Sequence, residues 1–158
     1  IIMNMDAGPS GTQVISTVRN TNDIVNFLVN KCPFNKLTYE DKLFVKQSER
    51  PCPDLSLTLI QREKQKNRVF SLNWYTKYDW LAGSTTVNKL FCWPCILFSN
   101  SGESVWWKTG YADLKNLSRS LEKHSKSKDH ISSTCKFVLL GQQNIASTLD
   151  SARKIEKQ

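Results

Sequence analysis

Leu90-Phe91-Cys92-Trp93-Pro94-Cys95-Ile96-Leu97-Phe98, followed downstream by His124-Ser125-Lys126-Ser127-Lys128-Asp129-His130, is the stretch on which the reading of this chain turns. A Cys-x-x-Cys turn can present two thiolate sulfurs to one ion, because two intervening residues close a tight knuckle. Two imidazoles complete a tetrahedral shell of the kind zinc takes. His124 and His130 are the only histidines in the 158 residues. On an unbroken helix their spacing is roughly 600° of rotation, about 240° net, so the two rings would diverge. A helix must therefore end, loosen or bend between His124 and Lys128. The expected metal ligands are Cys92, Cys95, His124 and His130, and the expected ion is Zn2+. Four protein ligands close the site and leave no position at which water is activated.

Other readings of the same residues stay open. A Cys-x-x-Cys pair also serves as a redox dithiol, which wants a βαβ context that this chain does not display. Cys135 could replace one histidine as the fourth ligand. Cys32 and Cys52, each beside a proline, read as free thiols or as part of a second site. Five cysteines, an odd count, argue against a secreted disulfide scaffold.

Upstream of the knuckle, aromatic residues crowd together at Phe70, Trp74, Tyr75, Tyr78 and Trp80. Short strands are expected near Trp80–Leu81 and Lys89–Phe91, with Gly83-Ser84 and Asn88 as turn positions, and a further strand at Ile96–Phe98. The adjacent Trp106 and Trp107, read as an extended segment, face opposite ways, one buried and one exposed. Leu114, Leu117 and Leu121 recur at helical spacing, so a helix capped by Asp113 or Asn116 leads to His124 and on past His130 towards Leu139. Gly141 breaks it before a last helix over 144–157.

On the N-terminal side a short helix is expected from Thr21, capped by Thr21 or Asn20, with Ile24, Val25, Phe27 and Leu28 as its apolar face. A second runs from Thr38 to about Ser48, with Asp41 placed as in a capping box. Pro51 and Pro53 mark a linker, and Gln61–Arg68 reads as a solvated helix or an extended basic arm. The fold class is thus a small α+β zinc-binding domain. A β-hairpin with a Cys-x-x-Cys knuckle precedes helices carrying the histidines, and a helical or irregular N-terminal arm leads in. The organisation expected is a flexible segment over 1–20, a helical arm and linker over 21–60, the zinc module over 61–140, and a C-terminal helix over 141–158 leading to a downstream domain not contained here.

The net charge of +8 is uneven. Residues 1–60 carry six Lys/Arg and six Asp/Glu, which leaves the remaining sixteen Lys/Arg and eight Asp/Glu to the rest of the chain. A basic half beside a neutral half suits a polyanion. Arg119, Lys123 and Lys126 lie at helical steps of four and three and could share a face opposite the leucine stripe. Lys115 and Lys128 add charge, mainly for phosphates, while Asn116 and Arg119 can make paired hydrogen bonds to bases. Arg68 could lie along the DNA backbone and Trp107 could stack or touch a phosphate. A merely solvated lysine face is the plainer reading, and stacking would equally suit RNA or single-stranded DNA. No apolar run approaches the ~20 residues of a membrane helix, so no membrane partner is expected. Neither a Ser/His/Asp set nor a phosphate-binding glycine loop is visible, and no catalysis is expected.

Three groups of residues together resemble the TTF-type zinc finger, a relative of BED-type fingers. They are Arg68-Val-Phe70 to Trp80-Leu81, the Phe91-Cys92-x-x-Cys95-x-Leu97-Phe98 core, and Gly110-Tyr111 to Asn116-Leu117 with the paired-histidine end. That finger occurs in hAT-superfamily transposases and in host proteins derived from them, including MYM-type zinc finger proteins. The resemblance covers about residues 66–140. It implies the same four zinc ligands, and a core of Trp80, Phe91 and Phe98. It also implies nuclear residence and binding to double-stranded DNA at transposon ends or host regulatory sites. The alternative is a zinc-dependent protein-interaction module of a nuclear regulatory protein. Any homodimerisation would fall to regions outside this chain.

Overall fold

Asp23 anchors the N-terminal packing in two ways. Its Oδ1 accepts the Asn26 backbone N–H at 3.0 Å and so caps helix α1, Ile24–Asn30. The cap is Asp23 rather than Thr21 or Asn20 because the Thr21 hydroxyl is already engaged, accepting from the Asp23 N–H at 3.3 Å. Asp23 Oδ2 accepts from the Ser84 hydroxyl at 2.7 Å and from the Thr86 N–H at 3.0 Å, pinning α1 to a hairpin 61 residues away in sequence. Burial alone would raise the Asp23 pKa, but the bonds from Asn26, Ser84 and Thr86 outweigh it and hold the carboxyl below its ordinary value. Asp23→Ala is expected to cost about 2 kcal/mol, from a lost cap and two lost bonds to a charged acceptor. Because the folded pKa is depressed, that contribution is present above the unfolded value near ~4 and fades as pH falls through the folded one. The urea midpoints of wild type and variant should therefore differ at neutral pH and converge in acid.

The computed structural model describes residues 18–61, 66–99, 102 and 104–142. After α1 come a 3-10 turn at Phe34–Lys36 and helix α2, Tyr39–Gln47. Thr38 caps α2 as expected, its hydroxyl accepting the Asp41 N–H at 3.2 Å. The return half of the capping box is not made. Asp41 is buried and takes the Arg19 guanidinium at 2.9 Å instead.

Two hairpins follow. The first pairs β1 (Thr58–Gln61) with β2 (Lys66–Val69), antiparallel, Thr58 opposite Val69. This replaces the solvated helix or basic arm expected at Gln61–Arg68. Highly charged residues can pair in a strand when the ladder needs only backbone, and the Phe70 N–H extends it by donating to Leu57 O at 2.9 Å. Residues 62–65 lie outside the described residues. Helix α3, Asn73–Lys77, leads to the second hairpin, β3 (Leu81–Ser84) with β4 (Lys89–Cys92). Gly83 and Ser84 belong to β3 rather than to its turn. A Cβ at Gly83 would come within 2.6 Å of the Tyr75 hydroxyl, so glycine there serves close packing. Asn88 does occupy the turn, with a left-handed φ of 55° that asparagine tolerates.

The strand expected at Ile96–Phe98 is instead the end of helix α4, Trp93–Phe98. Pro94 stands in the first turn, where its missing N–H costs nothing and its fixed φ suits a helix. The adjacent tryptophans sit in a π-helical turn, Val105–Thr109, closed by the Gly110 N–H donating to Val105 O at 2.7 Å. In that wide turn neighbouring residues need not face opposite ways as they do in a strand. Both rings are buried, which corrects the expectation of one exposed indole. Gly110 has a φ of +86°, and a Cβ there would meet Lys89 at 2.7 Å. Tyr111 then bridges to Leu90 of β4 through two backbone bonds of 2.8 Å.

A 3-10 turn at Leu114–Asn116, capped by Asp113, runs into helix α5, Leu117–Ser125; helix α6 spans Lys128–Leu139. The chain bends between them, as the histidine spacing demands. Gly141, with a φ of +89°, follows α6. The helix expected over 144–157 lies outside the described residues, as do residues 1–17.

One core group joins Phe70, Trp80, Leu81, Trp106, Trp107, Leu117 and Leu121. A second joins Val18, Val25, Phe27, Phe34 and Val45 to Phe91, Trp93 and Leu97. The contacts therefore run straight across residue 61. The segment read as an arm supplies one wall of the core behind the knuckle, and Val18, placed in the flexible lead-in by the sequence, is buried. Among the described residues, no helix is long and apolar enough to cross a membrane.

Candidate metal centre

Cys92 ends β4 and caps α4; Cys95 lies in that helix's first turn. The strand-to-helix turn thus aims two thiols to one side. His124 is in the last turn of α5 and His130 in the first turn of α6. Between the helices Ser127 performs two tasks. Its hydroxyl accepts the His130 N–H at 3.2 Å, capping α6, and donates to His124 O at 2.8 Å. The Ser127 side chain thus ties both sides of the bend, beside its own backbone N–H, which donates to His124 O at 3.0 Å. The local sequence signal for this role is a serine three residues before His130, the spacing of an N-cap.

All four side chains are buried, and their ligand atoms lie within 4.8 Å of one another. Cys92 Sγ is 3.3 Å from His130 Nδ1, and Cys95 Sγ is 3.5 Å from His124 Nε2. A tetrahedral zinc site, with bonds of about 2.3 Å to sulfur and 2.0–2.1 Å to nitrogen, separates S from N by about 3.5 Å. These two S–N pairs match that separation, and the four donor atoms, all within 4.8 Å, need draw in by only about 1 Å at their widest to hold one ion. His130 Nε2 and the Thr134 hydroxyl lie 3.5 Å apart; were Nδ1 to hold a metal, Nε2 would carry the proton and donate to Thr134, the outer contact that fixes a ligating imidazole. Thr134 was not foreseen; it stands one helical turn beyond His130.

The thiols are not equivalent. A hydrogen bond from Cys92, reinforced by both histidines, outweighs burial and lowers the Cys95 pKa to about 3. Burial, with Cys95 beside it, pushes Cys92 up. Cys135 is exposed on α6, away from the cluster, and Cys32 and Cys52 likewise stand apart.

Aromatic rings wall the centre. Trp80 lies 5.1 Å from the His124 ring and 4.8 Å from the His130 ring, centroid to centroid. Trp106 is 5.1 Å from His124, and Trp107 6.3 Å. Trp107, expected at a nucleic-acid surface, is therefore part of this wall. Of the other expected contact residues, Lys115, Asn116, Arg119, Lys123 and Lys126 line one open groove on α5. Lys128 is exposed at the start of α6 and outside that groove, and Arg68 sits in β2 with its side chain outside the described residues.

Over 82 residues the chain is 32% identical to zinc finger MYM-type protein 5 of Macaca fascicularis and 30% identical to that of Homo sapiens. The match covers 46% of this chain and 12% of each relative's length. The similarity is thus to part of a zinc finger protein. No family model and no solved structure matches the chain.

Proposed function

We propose that the module holds one structural zinc ion and grips double-stranded DNA with the outer face of α5, in a nuclear protein acting at transposon ends or host regulatory sites. Zinc is supported by the Cys2His2 donor set, by the spacing of its atoms and by the similarity to zinc finger proteins. The observation that carries the DNA reading is the two-sidedness of α5. Leu117, Leu121 and His124 are buried against the metal core, while Lys115, Asn116, Arg119, Lys123 and Lys126 share one outward groove of about 520 Å³. A helix anchored by its apolar side and cationic on the other suits a major groove, with residues near its N-terminus on the bases. Asn116 and Arg119 hold that position. Asn116 Nδ2 now donates to Asp113 Oδ2 at 2.7 Å, so reading a base requires it to share or exchange that bond. Glu122 is the one acid in the groove; its exposed pairing with Lys126 at 3.4 Å is weak and yields readily to phosphate.

The test is binding of the zinc-loaded chain to a pool of randomised duplexes across a salt series. Each phosphate contact contributes about 0.9 to the slope of log K against log salt, so Arg119→Ala/Lys123→Ala/Lys126→Ala should flatten it by roughly 2–3. Arg119→Ala alone should relax selection at one base by about 1–3 kcal/mol. A zinc-loaded, folded chain whose retention ignores both salt and these substitutions would remove the DNA reading.

A further inference from the structure

The metal core has a second open side, and its chemistry differs from that of α5. A cleft of about 480 Å³ lies between α1, the Phe34–Lys36 turn, α4 and the Val105–Thr109 turn. Its volume falls within the range of ligand-binding pockets. Leu28, Phe34, Ile96 and Leu97 supply apolar wall. Lys36 and Lys108, both exposed, line it too, and no described lining residue is an acid. None of the cleft's residues belongs to the α5 groove.

Two of these lining residues carry a buried polar atom that stands out. Trp107 Nε1 and Ser99 Oγ are buried without a hydrogen-bond partner, two of only three such side-chain atoms among the described residues. A native fold rarely leaves buried donors unpaired, because each forfeits its hydration with nothing in return. Here both residues line one cleft, between apolar wall and two cations, so the unpaired donors lie just behind its surface. An acceptor-bearing, negatively charged group is the ligand that answers both features, and the apolar wall asks for a hydrophobic neighbour beside it.

We propose that this cleft docks a short segment of a partner protein in which an Asp or Glu stands next to apolar side chains. The carboxylate lies between Lys36 and Lys108 and, with a small shift of the Trp107 ring and rotation about the Ser99 χ1, takes the Trp107 N–H and the Ser99 hydroxyl. The apolar neighbours pack on Phe34 and Leu97. Duplex DNA does not answer this chemistry, since its phosphates bring no apolar group. The proposal does not rest on the DNA reading, and the two surfaces can be filled together. Trp107 also approaches His124, so the floor of the cleft is continuous with the wall of the metal centre.

The experiment is selection of random displayed peptides on the zinc-loaded 158-residue chain, followed by titration of an enriched peptide. Enriched peptides should share an acidic residue beside Leu, Ile or Phe. Lys36→Glu/Lys108→Glu should weaken the enriched peptide about ten-fold or more, as charge reversal does at complementary contacts. Both lysines are exposed, so the fold survives this change. The indole N–H resonance that Trp107→Phe removes should shift on saturation with peptide. Failure to enrich such peptides, binding that ignores the charge reversal, or a resonance that stays put would each overturn the proposal. So would a reversal that weakens duplex DNA and leaves peptide untouched, which would assign these lysines to the DNA surface instead.

Discussion

Cys95→Ser is expected to release the metal and unfold the module. Structural zinc contributes an apparent ~10–16 kcal/mol in finger peptides, whereas a whole domain is stable by only about 5–15 kcal/mol. The site joins the end of β4, α4, α5 and α6, so losing one thiolate loosens four elements at once. The thiolate is the metal-binding form of cysteine, and serine offers no comparable anion. The chain as purified should carry one zinc per molecule and lose its cooperative thermal transition on chelation, regaining it on zinc addition. Cys95→Ser should show neither metal nor transition. Cys135→Ser, changing an exposed thiol on α6, should match wild type in both. Metal content by mass spectrometry of the intact protein, beside a thermal scan, checks all three. A folded, monomeric Cys95→Ser chain would remove the structural metal from the account.

Trp80→Ala comes next in size, with an expected loss of about 3–5 kcal/mol, the range for removing a large buried aromatic side chain. Trp80 packs on both imidazoles and meets Trp106 at 5.7 Å and Tyr78 at 5.6 Å. Its removal opens a cavity against the metal ligands themselves, so the loss should appear in zinc affinity as well as in urea unfolding. Trp80→Phe keeps a ring in place and should cost less than half as much. A Trp80→Ala chain within ~1 kcal/mol of wild type would mean that the surrounding rings collapse to fill the space, in contrast to the partial relaxation usual in cores.

The Cys/His cluster was legible in the sequence for a physical reason. A tetrahedral ion limits the donors to a short list, and this chain has only two histidines to offer. The bend between the helices followed from the same logic, since six helical steps cannot bring two rings to one point. The leucine stripe of α5 and the Thr38 cap were equally local matters of periodicity and hydrogen-bonding type. The hairpin before the knuckle was readable to within a few residues.

What went unread depended on neighbours distant in the chain. Nothing in Ile96-Leu97-Phe98 by itself separates a strand from a helix; Pro94 in the first turn and the packing of α4 against α6 decide it. Gln61–Arg68 reads as a charged arm until the backbone of Thr58–Gln61 is placed beside it. The paired tryptophans turn inward only because Gly110 closes a π-helical turn against Lys89 and Tyr111 joins β4. The largest revision concerns residues 18–47, whose helices looked like a lead-in and prove to be a wall of the core, clamped to the hairpin by Asp23. By itself, then, the sequence determined the donor set, the bend between the histidines and the two-sided helix, because those follow from residue type and spacing. Tertiary structure alone decided which segments share one core and which rings wall the Cys/His cluster, because burial and hydrogen bonding between residues far apart in the chain leave no periodic mark along it.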